Sequence, residues 1–299
     1  MTTKKLFTLA ILIICTTCGH VHAQDLMDLL GDDKPKTEFA HATFKTTRIV
    51  NGQSIENLAS GVLLFIISHH FGALNSGTYN FFGLDQSTIR LGLDYGVNDC
   101  LSIGIGRSSW QKTYDASFKA KILRQSSGER NMPIALSLYS SIVLNSLKWQ
   151  VPARTNYFTS RLAFTNQLLI ARKFSNSLSL QLTPTFIHKN LVPTALAQND
   201  IFAVGIGGRY KLTQRLSLNA EYFYLLPGNT ADTYVNSFSV GLDIETGGHV
   251  FQLHFTNSQP MFERAFIAET TGKWTKGDIF FGFNISRVFT IEKPKGFKS

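Results

Sequence analysis

Arg215-Leu-Ser-Leu-Asn-Ala-Glu-Tyr-Phe-Tyr-Leu225 alternates between two kinds of side chain along its whole length. One face takes Leu216, Leu218, Ala220, Tyr222 and Tyr224, and the other takes Arg215, Ser217, Asn219 and Glu221. A period of two residues predicts a β-strand that has one apolar face and one polar face. The same design recurs elsewhere in the chain. A polar turn that is followed in order by Leu, Ser and an aliphatic residue also occurs at 95–103 and 172–180.

Strand-like blocks fill the chain from residue 61 onward. They cover 61–71, 87–97, 101–109, 116–125, 133–145, 157–173, 178–188, 201–212, 215–225, 235–245, 249–256 and 278–290. About twelve strands is an even number, as single-chain bacterial membrane barrels require. The connections also alternate in length, with short turns near Asn98, Ser127, Ser175, Thr213 and Gly247 and longer loops such as 72–86 and 257–277. Both observations favour an up-and-down antiparallel transmembrane β-barrel with both termini at the periplasmic end.

A soluble sandwich or a lipocalin-like barrel is the structural alternative, because its strands alternate too. In that class the apolar face points inward, whereas in a membrane barrel it points to the lipid. Charged residues on the polar face are spread over many strands, which is typical of a wet lumen. Tyr95, Phe174 and Tyr210 precede equivalent turns, where they would form part of an aromatic girdle. These features favour the membrane barrel.

The N-terminus reads as an export signal. Lys4 and Lys5 precede an apolar run, and Val21-His-Ala23 offers a cleavage site before Gln24. A lipoprotein signal that uses Cys18 is the alternative, but the residues before Cys18 match that pattern poorly. We therefore divide the chain into a signal peptide (1–23), a periplasmic lead-in (24–59), an outer-membrane barrel (60–291) and a basic tail (292–299), and expect export to the outer membrane of a Gram-negative bacterium.

The formal net charge of +9 restricts the partners. A basic excess favours anionic lipid, lipopolysaccharide or small anionic solutes. It does not favour nucleic acid, because the basic residues are scattered through alternating strands without a recognised binding motif. The lead-in is long enough to contact other periplasmic or outer-membrane proteins.

Several short stretches resemble a known family. They include Ile103-Gly-Ile-Gly-Arg-Ser108, Lys112-Thr-Tyr-Asp115 and the closing Gly282-Phe-Asn-Ile-Ser-Arg287. Together with stretches near His69 and Lys119 they resemble the domain-of-unknown-function 5777 family of β-barrel proteins, common in Bacteroidota, over about residues 44–289. The resemblance implies an outer-membrane barrel and supplies no catalytic or binding residue.

The inward charges are the best functional lead. The candidate binding residues of the lumen are Arg90, Asp94, Arg209, Lys211, Arg215, Glu221 and Asp243. Basic residues outnumber acidic ones on this face, which would bias an aqueous path toward anions. The alternative is that opposite charges, such as Arg90 with Asp94 or Arg215 with Glu221, pair across strands and fill the interior.

Other chemistry has weaker support. His69 and His70 are adjacent on a strand and point to opposite faces, so a metal site would need distant partners, and we predict no metal and no cofactor. His70, Asn75, Ser76, His188 and His254 could serve a hydrolase, but no nucleophile signature accompanies them. The glycines of 104–106 and 205–208 lie within strands, which favours small inward residues over nucleotide loops.

Three functions follow from this sequence, in descending order of support. The first is transport or passive permeation of small solutes, with anions favoured. The second is a non-conducting structural or partner-binding barrel. The third is a lipid-modifying enzyme of the outer membrane.

Overall fold

In the computed structural model, residues 36–192, 194, 196–247 and 249–292 are described. Fourteen strands run in chain order: β1 Glu38–Phe39, β2 Val62–Ala73, β3 Ser87–Gly96, β4 Leu101–Ser108, β5 Tyr114–Leu123, β6 Ser126–Ser127, β7 Ala135–Leu144, β8 Leu162–Lys173, β9 Leu178–Lys189, β10 Asp200–Lys211, β11 Leu216–Leu225, β12 Ser237–Thr246, β13 His249–Thr256 and β14 Phe280–Thr290. All except β1 and β6 form one closed antiparallel barrel, in which β14 pairs with β2. The predicted twelve-stranded, up-and-down barrel is confirmed.

The connections divide the barrel into two ends. At the short-turn end, residues 97–100, 174–177 and 212–215 join neighbouring strands, and Gly247 follows the end of β12. At the long-loop end lie 74–86, 109–113, 145–161, 190–199, 226–236 and 257–279, which carry the short helices Asn229–Thr233 and Glu263–Ala268 and the 3₁₀ turns Leu74–Ser76, Thr78–Gly83, Trp110–Lys112, Phe158–Arg161 and Trp274–Lys276. Among the described residues, no helix is long and apolar enough to cross a membrane.

The two faces of the wall have opposite chemistry. Outward positions hold exposed aliphatic and aromatic side chains, including Leu91, Ile105, Leu182, Phe202 and Ile206. Inward positions hold buried polar side chains, including Ser141, Thr165, Gln167, Thr185 and Ser239. A soluble barrel would reverse this arrangement, so the soluble alternative is excluded. The period of two in the sequence assigned each face correctly.

The N-terminal segment lies inside the barrel. We call residues 43–58 the plug. It enters from the short-turn end, reverses at a tight turn in which Ile49 N–H donates to Gly52 O (2.8 Å), and returns to β2. Phe44, Ile49, Val50 and Ile55 pack against inward Tyr139, Leu169 and Ala171 of β7 and β8. The lead-in was expected in the periplasm, but from residue 43 it is a lumen element, because its apolar side chains find cover there.

A second element enters from the opposite end. The helix Glu263–Ala268, here the loop helix, belongs to the long connection between β13 and β14, and all six of its residues are buried. Phe266, Ile267 and Ala268 pack against an apolar patch of the wall formed by Ile187, Ile201, Ala203, Phe223 and Leu225. Lys189 Nζ and Arg264 Nη2 bind Glu269 just beyond the helix, at 2.7 and 3.4 Å. The lumen is therefore occupied from both ends.

One connection at the short-turn end is longer than the sequence predicted. β5 ends at Leu123 and β7 begins at Ala135, so residues 124–134 leave the wall. β6 within this connection pairs with β1, which lies just before the plug. This connection binds the entering chain, because Ala40 N–H donates to Gln125 O and Arg130 N–H donates to Thr37 Oγ1, and the Gln125 side chain also bonds to Lys173 at the end of β8. The predicted signal peptide (1–23), the first part of the lead-in and residues 293–299 of the basic tail lie outside the described residues.

Candidate functional site

Glu221 binds the tip of the plug. This inward carboxylate of β11 is 3 % exposed and accepts hydrogen bonds from the backbone N–H groups of Val50 (3.2 Å), Asn51 (2.8 Å) and Gly52 (3.0 and 3.2 Å). Three donors on one carboxylate form a compact anion site made by the turn itself. Glu221 was predicted to face the lumen, and there it holds main chain.

Lys119 provides the complementary contact. Its buried ammonium on β5 donates to the carbonyl oxygens of Thr47 (3.2 Å), Ser54 (3.0 Å) and Glu56 (3.1 Å), which lie on both arms of the plug. Arg209 on β10 donates to the carbonyl oxygens of Ala42 (3.0 Å) and Thr43 (3.4 Å), where the segment enters. Lys119 and Arg209 are thus bound to backbone oxygens.

Neutral amides complete this set. Gln181, Gln252 and Asn284 donate from β9, β13 and β14 to the carbonyl oxygens of Gln53 (2.7 Å), Ile49 (3.1 Å) and Val50 (3.0 Å), respectively. The donors and acceptors come from six strands spread around the barrel. Because buried backbone groups need partners, the wall supplies them where the plug has no sheet of its own.

Arg90 forms a closed ion pair within the wall. Its Nε and Nη2 donate to the two carboxylate oxygens of Asp115 on β5, at 3.0 and 2.5 Å. A Cβ at Gly106 would collide with both side chains, so the predicted role of this glycine as a small inward residue is supported. The expected pairing of Arg90 with Asp94 does not form. Asp94 lies half-buried and faces inward opposite Gly104.

The remaining predicted residues divide between lumen and rim. Asp243 faces inward on β12 and accepts a hydrogen bond from Gln252 Nε2 at 2.8 Å. Lys211 is half-buried at the last position of β10. Arg215 is exposed, because the turn 212–215 ends only where β11 begins at Leu216. Among the described contacts, no ion pair joins Arg215 to Glu221, so Arg215 is corrected to a rim residue.

The plug and the loop helix meet inside the lumen. Arg48 Nη1 and Gln53 Nε2 both donate to Glu263 Oε1, at 3.3 and 2.9 Å. Arg48 and Glu263 are almost completely buried. Arg48 Nη1 also donates to Asn51 O at 2.8 Å, which ties the ion pair to the plug turn. This contact connects an element from the short-turn end to one from the long-loop end.

One stretch of wall is polar and uncharged. Five inward side chains of β7, β8 and β9 each carry an oxygen atom that has no hydrogen-bond partner among the described residues. They are Ser137, Ser141, Thr165, Gln167 and Gln181. Such groups cost about 1–3 kcal/mol each when buried unpaired. These hydroxyl and amide oxygens are better matched to water than to the apolar side chains of the plug and the loop helix.

Two of the histidines that the sequence singled out come together. His70 Nε2 lies 2.7 Å from His254 Nε2, inside the barrel near the long-loop end. His69 points outward and stacks on Phe283, as the strand period predicted. His188 instead binds Asp200 at the rim, and Asn75 binds Asp278 in the loops. Within the described residues no three His, Cys, Asp or Glu side chains form a group able to hold a metal ion.

A family comparison agrees with this architecture. The family model described as "Membrane bound beta barrel domain (DUF5777)" matches residues 44–289. The chain belongs to the DUF5777 family. The match begins inside the plug and ends in β14, so in this DUF5777 protein the plug and the barrel wall fall within one family domain. No curated protein sequence matches the chain.

Solved structures similar to this DUF5777 barrel include porins, outer membrane channels and an outer membrane phospholipase A from Escherichia coli. The NanC porin is 7 % identical with a TM-score of 0.49, covering 77 % of this chain and 100 % of its own. The KdgM porin is 10 % identical with a TM-score of 0.45, covering 77 % and 99 %. An outer membrane channel from Pseudomonas putida F1 is 14 % identical with a TM-score of 0.49, covering 79 % and 98 %.

Several functional residues of the DUF5777 barrel were not singled out from its sequence. Lys119 lies in the predicted strand 116–125 but was given no binding role, Asp115 and Glu263 lie in predicted connections, and Arg48 lies in the lead-in. The available signal was the lead-in itself, where Ile49-Val-Asn-Gly52 combines apolar residues with a turn dipeptide. Apolar residues beside such a turn indicate a packed hairpin, and not a solvated segment.

Proposed function

We propose that this protein is an outer-membrane barrel that passes small solutes through its lumen, and that the plug closes this lumen at rest. The observation that carries the proposal is that the wall binds the main chain of the plug through polar side chains of six strands. Each of those side chains can bind water equally well after the plug leaves. The short-turn end then faces the periplasm, and the outward apolar band contacts outer-membrane lipid and lipopolysaccharide.

The contrast with a permanently filled barrel supports removal of the plug. A barrel without a conducting role can fill its interior with its own apolar side chains. Here the wall of β7–β9 keeps oxygens that the plug does not satisfy. A cavity of about 370 Å³ also lies beside the plug, lined by Lys45, Glu245 and His249 among others. Both features favour a lumen that holds water when the plug is displaced.

A preference for anions would come only from those basic side chains of the lumen that lose their partners when the plug leaves. Removal of the plug frees the ammonium of Lys119 and the guanidinium of Arg209. Arg90 stays paired with Asp115 on the wall and contributes little. Glu221 is freed as well and Glu263 loses its partner Arg48, so the freed cations and carboxylates nearly balance and the expected preference for small anions is modest and depends on Lys119 and Arg209.

The second candidate function is a non-conducting barrel that binds a partner. The buried contact between Arg48 and Glu263 favours it, because an interior joined across both inserted elements resembles a permanent core. In that case the short-turn end, where β1 pairs with β6, is the surface for a periplasmic protein. Crosslinked pull-down from membranes tests it, since recovery of the barrel alone contradicts a stable partner.

A reversible lock on the plug distinguishes these functions. Asn51 Nδ2 lies 3.2 Å from Ser239 Oγ, so N51C/S239C places a disulfide between the plug tip and β12. Current through planar bilayers is expected to stay near baseline when the variant is oxidised. On reduction the unlocked plug can open transiently from its resting position, so the current should rise at least about tenfold, a ratio that corresponds to about 1.4 kcal/mol. Wild-type protein treated with the same reductant is the control.

A second variant makes the result independent of the disulfide. Deletion of residues 36–58 removes the plug and its entry strand while it leaves every wall strand intact. We expect a steady current from the deleted protein. Absence of current from both the reduced lock and the deletion variant would contradict conduction and favour the partner-binding barrel.

A further inference from the structure

A pair of imidazoles lies on the inner wall where the loop that carries the loop helix begins. His70 on β2 and His254 on β13 are separated by β14, whose facing residue is Gly282. A Cβ at Gly282 would collide with the His70 ring and lie 2.7 Å from His254 Nε2. Glycine at this register therefore lets two histidines meet across an intervening strand, with their Nε2 atoms 2.7 Å apart.

The partners of the pair fix its protonation pattern. His70 Nδ1 lies 2.9 Å from the carbonyl oxygen of Gln259, which can only accept, so Nδ1 carries a proton. His70 Nε2 in the neutral ring is then an acceptor, and His254 Nε2–H donates to it. His254 Nδ1 is buried and has no hydrogen-bond partner among the described residues. The arrangement holds when both rings are neutral.

This pair restrains the start of the loop. Gln259 lies four residues before Glu263, the first residue of the loop helix, and its carbonyl is bound by His70. The other end of the loop is tied separately, because Asn75 Nδ2 and Lys273 N–H donate to Asp278 at 2.6 and 3.0 Å. These bonds lower the pKa of the Asp278 carboxyl, so this second tie persists in mild acid. The His pair and the Asp278 contact thus hold opposite ends of one loop.

The surroundings of the pair contain few charges. The facing positions on β3 and β12 are Thr88 and Gly241, and Ser258 precedes Gln259 in the loop. Two charged groups lie on elements packed against the pair: Arg90 on β3 is paired with Asp115, and Glu263 of the loop helix binds Arg48 and Gln53. His69 on the same strand faces outward. Within the described residues, no carboxylate bonds to either ring to compensate added positive charge.

We propose that His70 and His254 form a proton-sensitive latch that keeps the connection 257–279, with its loop helix, folded into the lumen. One added proton can be shared between the two Nε2 atoms. A second proton places two N–H donors and two positive charges against each other in a buried site, so the rings separate and His70 no longer holds Gln259 in place. Acid then loosens residues 258–268 from the wall. Its effect on solute flow rests on the proposed function, whereas the latch itself does not.

Hydrogen exchange measures the latch without any need for current. Exchange of residues 258–268 in the full-length protein in lipid is compared at about pH 7.5 and about pH 4, which is acidic enough to reach buried imidazoles, after correction for the intrinsic rate. In wild type the protection is expected to fall at least about tenfold in acid, which corresponds to about 1.4 kcal/mol. Unchanged protection in wild type would overturn the latch.

Matched variants assign the effect to this pair. H70Q/H254Q keeps hydrogen-bonding amides at both positions and removes titration, so its protection should not change between the two pH values. H69Q removes the adjacent, outward imidazole and should behave as wild type. An acid response that persists in H70Q/H254Q would overturn the proposal. A wild-type response without any bilayer current would leave the latch intact and contradict only the proposed conduction.

Discussion

At the scale of single residues, the plug depends on Glu221 more than on any one apolar contact. E221Q replaces an acceptor of three backbone N–H groups by an amide that directs its own N–H₂ at them. An unpaired buried donor costs about 1–3 kcal/mol, so the plug should open about ten- to a hundredfold more often. Hydrogen exchange of residues 49–54 measures this change.

The matched control for Glu221 is D115N. Asp115 is also an inward, buried carboxylate, but its partner Arg90 lies on the wall. We expect D115N to lower barrel stability while protection of residues 49–54 stays as in wild type. Equal loss of plug protection in both variants would mean that the plug responds to general destabilisation of the barrel.

Gly106 makes room for the Arg90–Asp115 pair, and this predicts a specific cost for a methyl group. G106A should lower the free energy of unfolding by about 1–3 kcal/mol, the usual cost of overpacking. In the R90A/D115A background the same substitution should cost under about 0.5 kcal/mol, because the colliding atoms are gone. Urea unfolding in lipid vesicles measures both values, and equal costs would contradict the steric explanation.

At the scale of elements, the plug and the loop helix should report on each other. R48M removes the cation that faces Glu263 and leaves that carboxylate buried with Gln53 as its remaining contact on the plug. Breaking a buried pair from one side costs about 3–5 kcal/mol, so exchange of residues 263–268 should rise although none of them is changed.

Two further variants test this coupling between the elements. R48M/E263Q should perturb the loop helix less than R48M alone, since no uncompensated charge remains. K45M is the control, because Lys45 pairs with Glu245 at the short-turn end, away from the loop helix. A loop helix that is indifferent to R48M would show that the two elements occupy the lumen independently.

The wall strands could be predicted from the sequence because each is specified by a local period. Leu216, Leu218 and Tyr222 identify the outward face of β11 without knowledge of any other strand. The two inserted elements could not be predicted in this way, because their partners are distant in sequence. Glu221 is 169–171 residues from the backbone groups that it binds, and Glu263 is 215 residues from Arg48.

Charge pairs were predicted poorly for a related reason. Arg90 and Asp94 share a face of one strand, but the long side chain of Arg90 reaches across β4, where Gly106 leaves space, to Asp115 on β5. Arg215 fits the alternating pattern of β11 in the sequence, but in the structure it belongs to the preceding turn and is exposed. Which charged side chains pair depends on where the strands end and on small residues in an intervening strand. The alternating pattern of the sequence predicts neither of these features.

At the scale of the whole molecule, the lumen charge should act only when the plug is absent. In the protein that lacks residues 36–58, K119M/R209M removes the two cations that the plug carbonyls otherwise neutralise. Anion preference, measured as reversal potential in a salt gradient, should fall or reverse, because Glu221 and Asp243 then dominate the inward charge.

The control for this last prediction is R90M/D115N in the same deletion background. It removes one cation and one anion that already neutralise each other, so the reversal potential should stay within about 5 mV of the parent. This is small beside the roughly 59 mV that a tenfold gradient of a perfectly selected monovalent ion produces. If R90M/D115N shifts the potential as much as K119M/R209M, selectivity does not depend on which cations the plug covers. Solutes would then be sorted by the wall as a whole, and the plug would only set whether they pass.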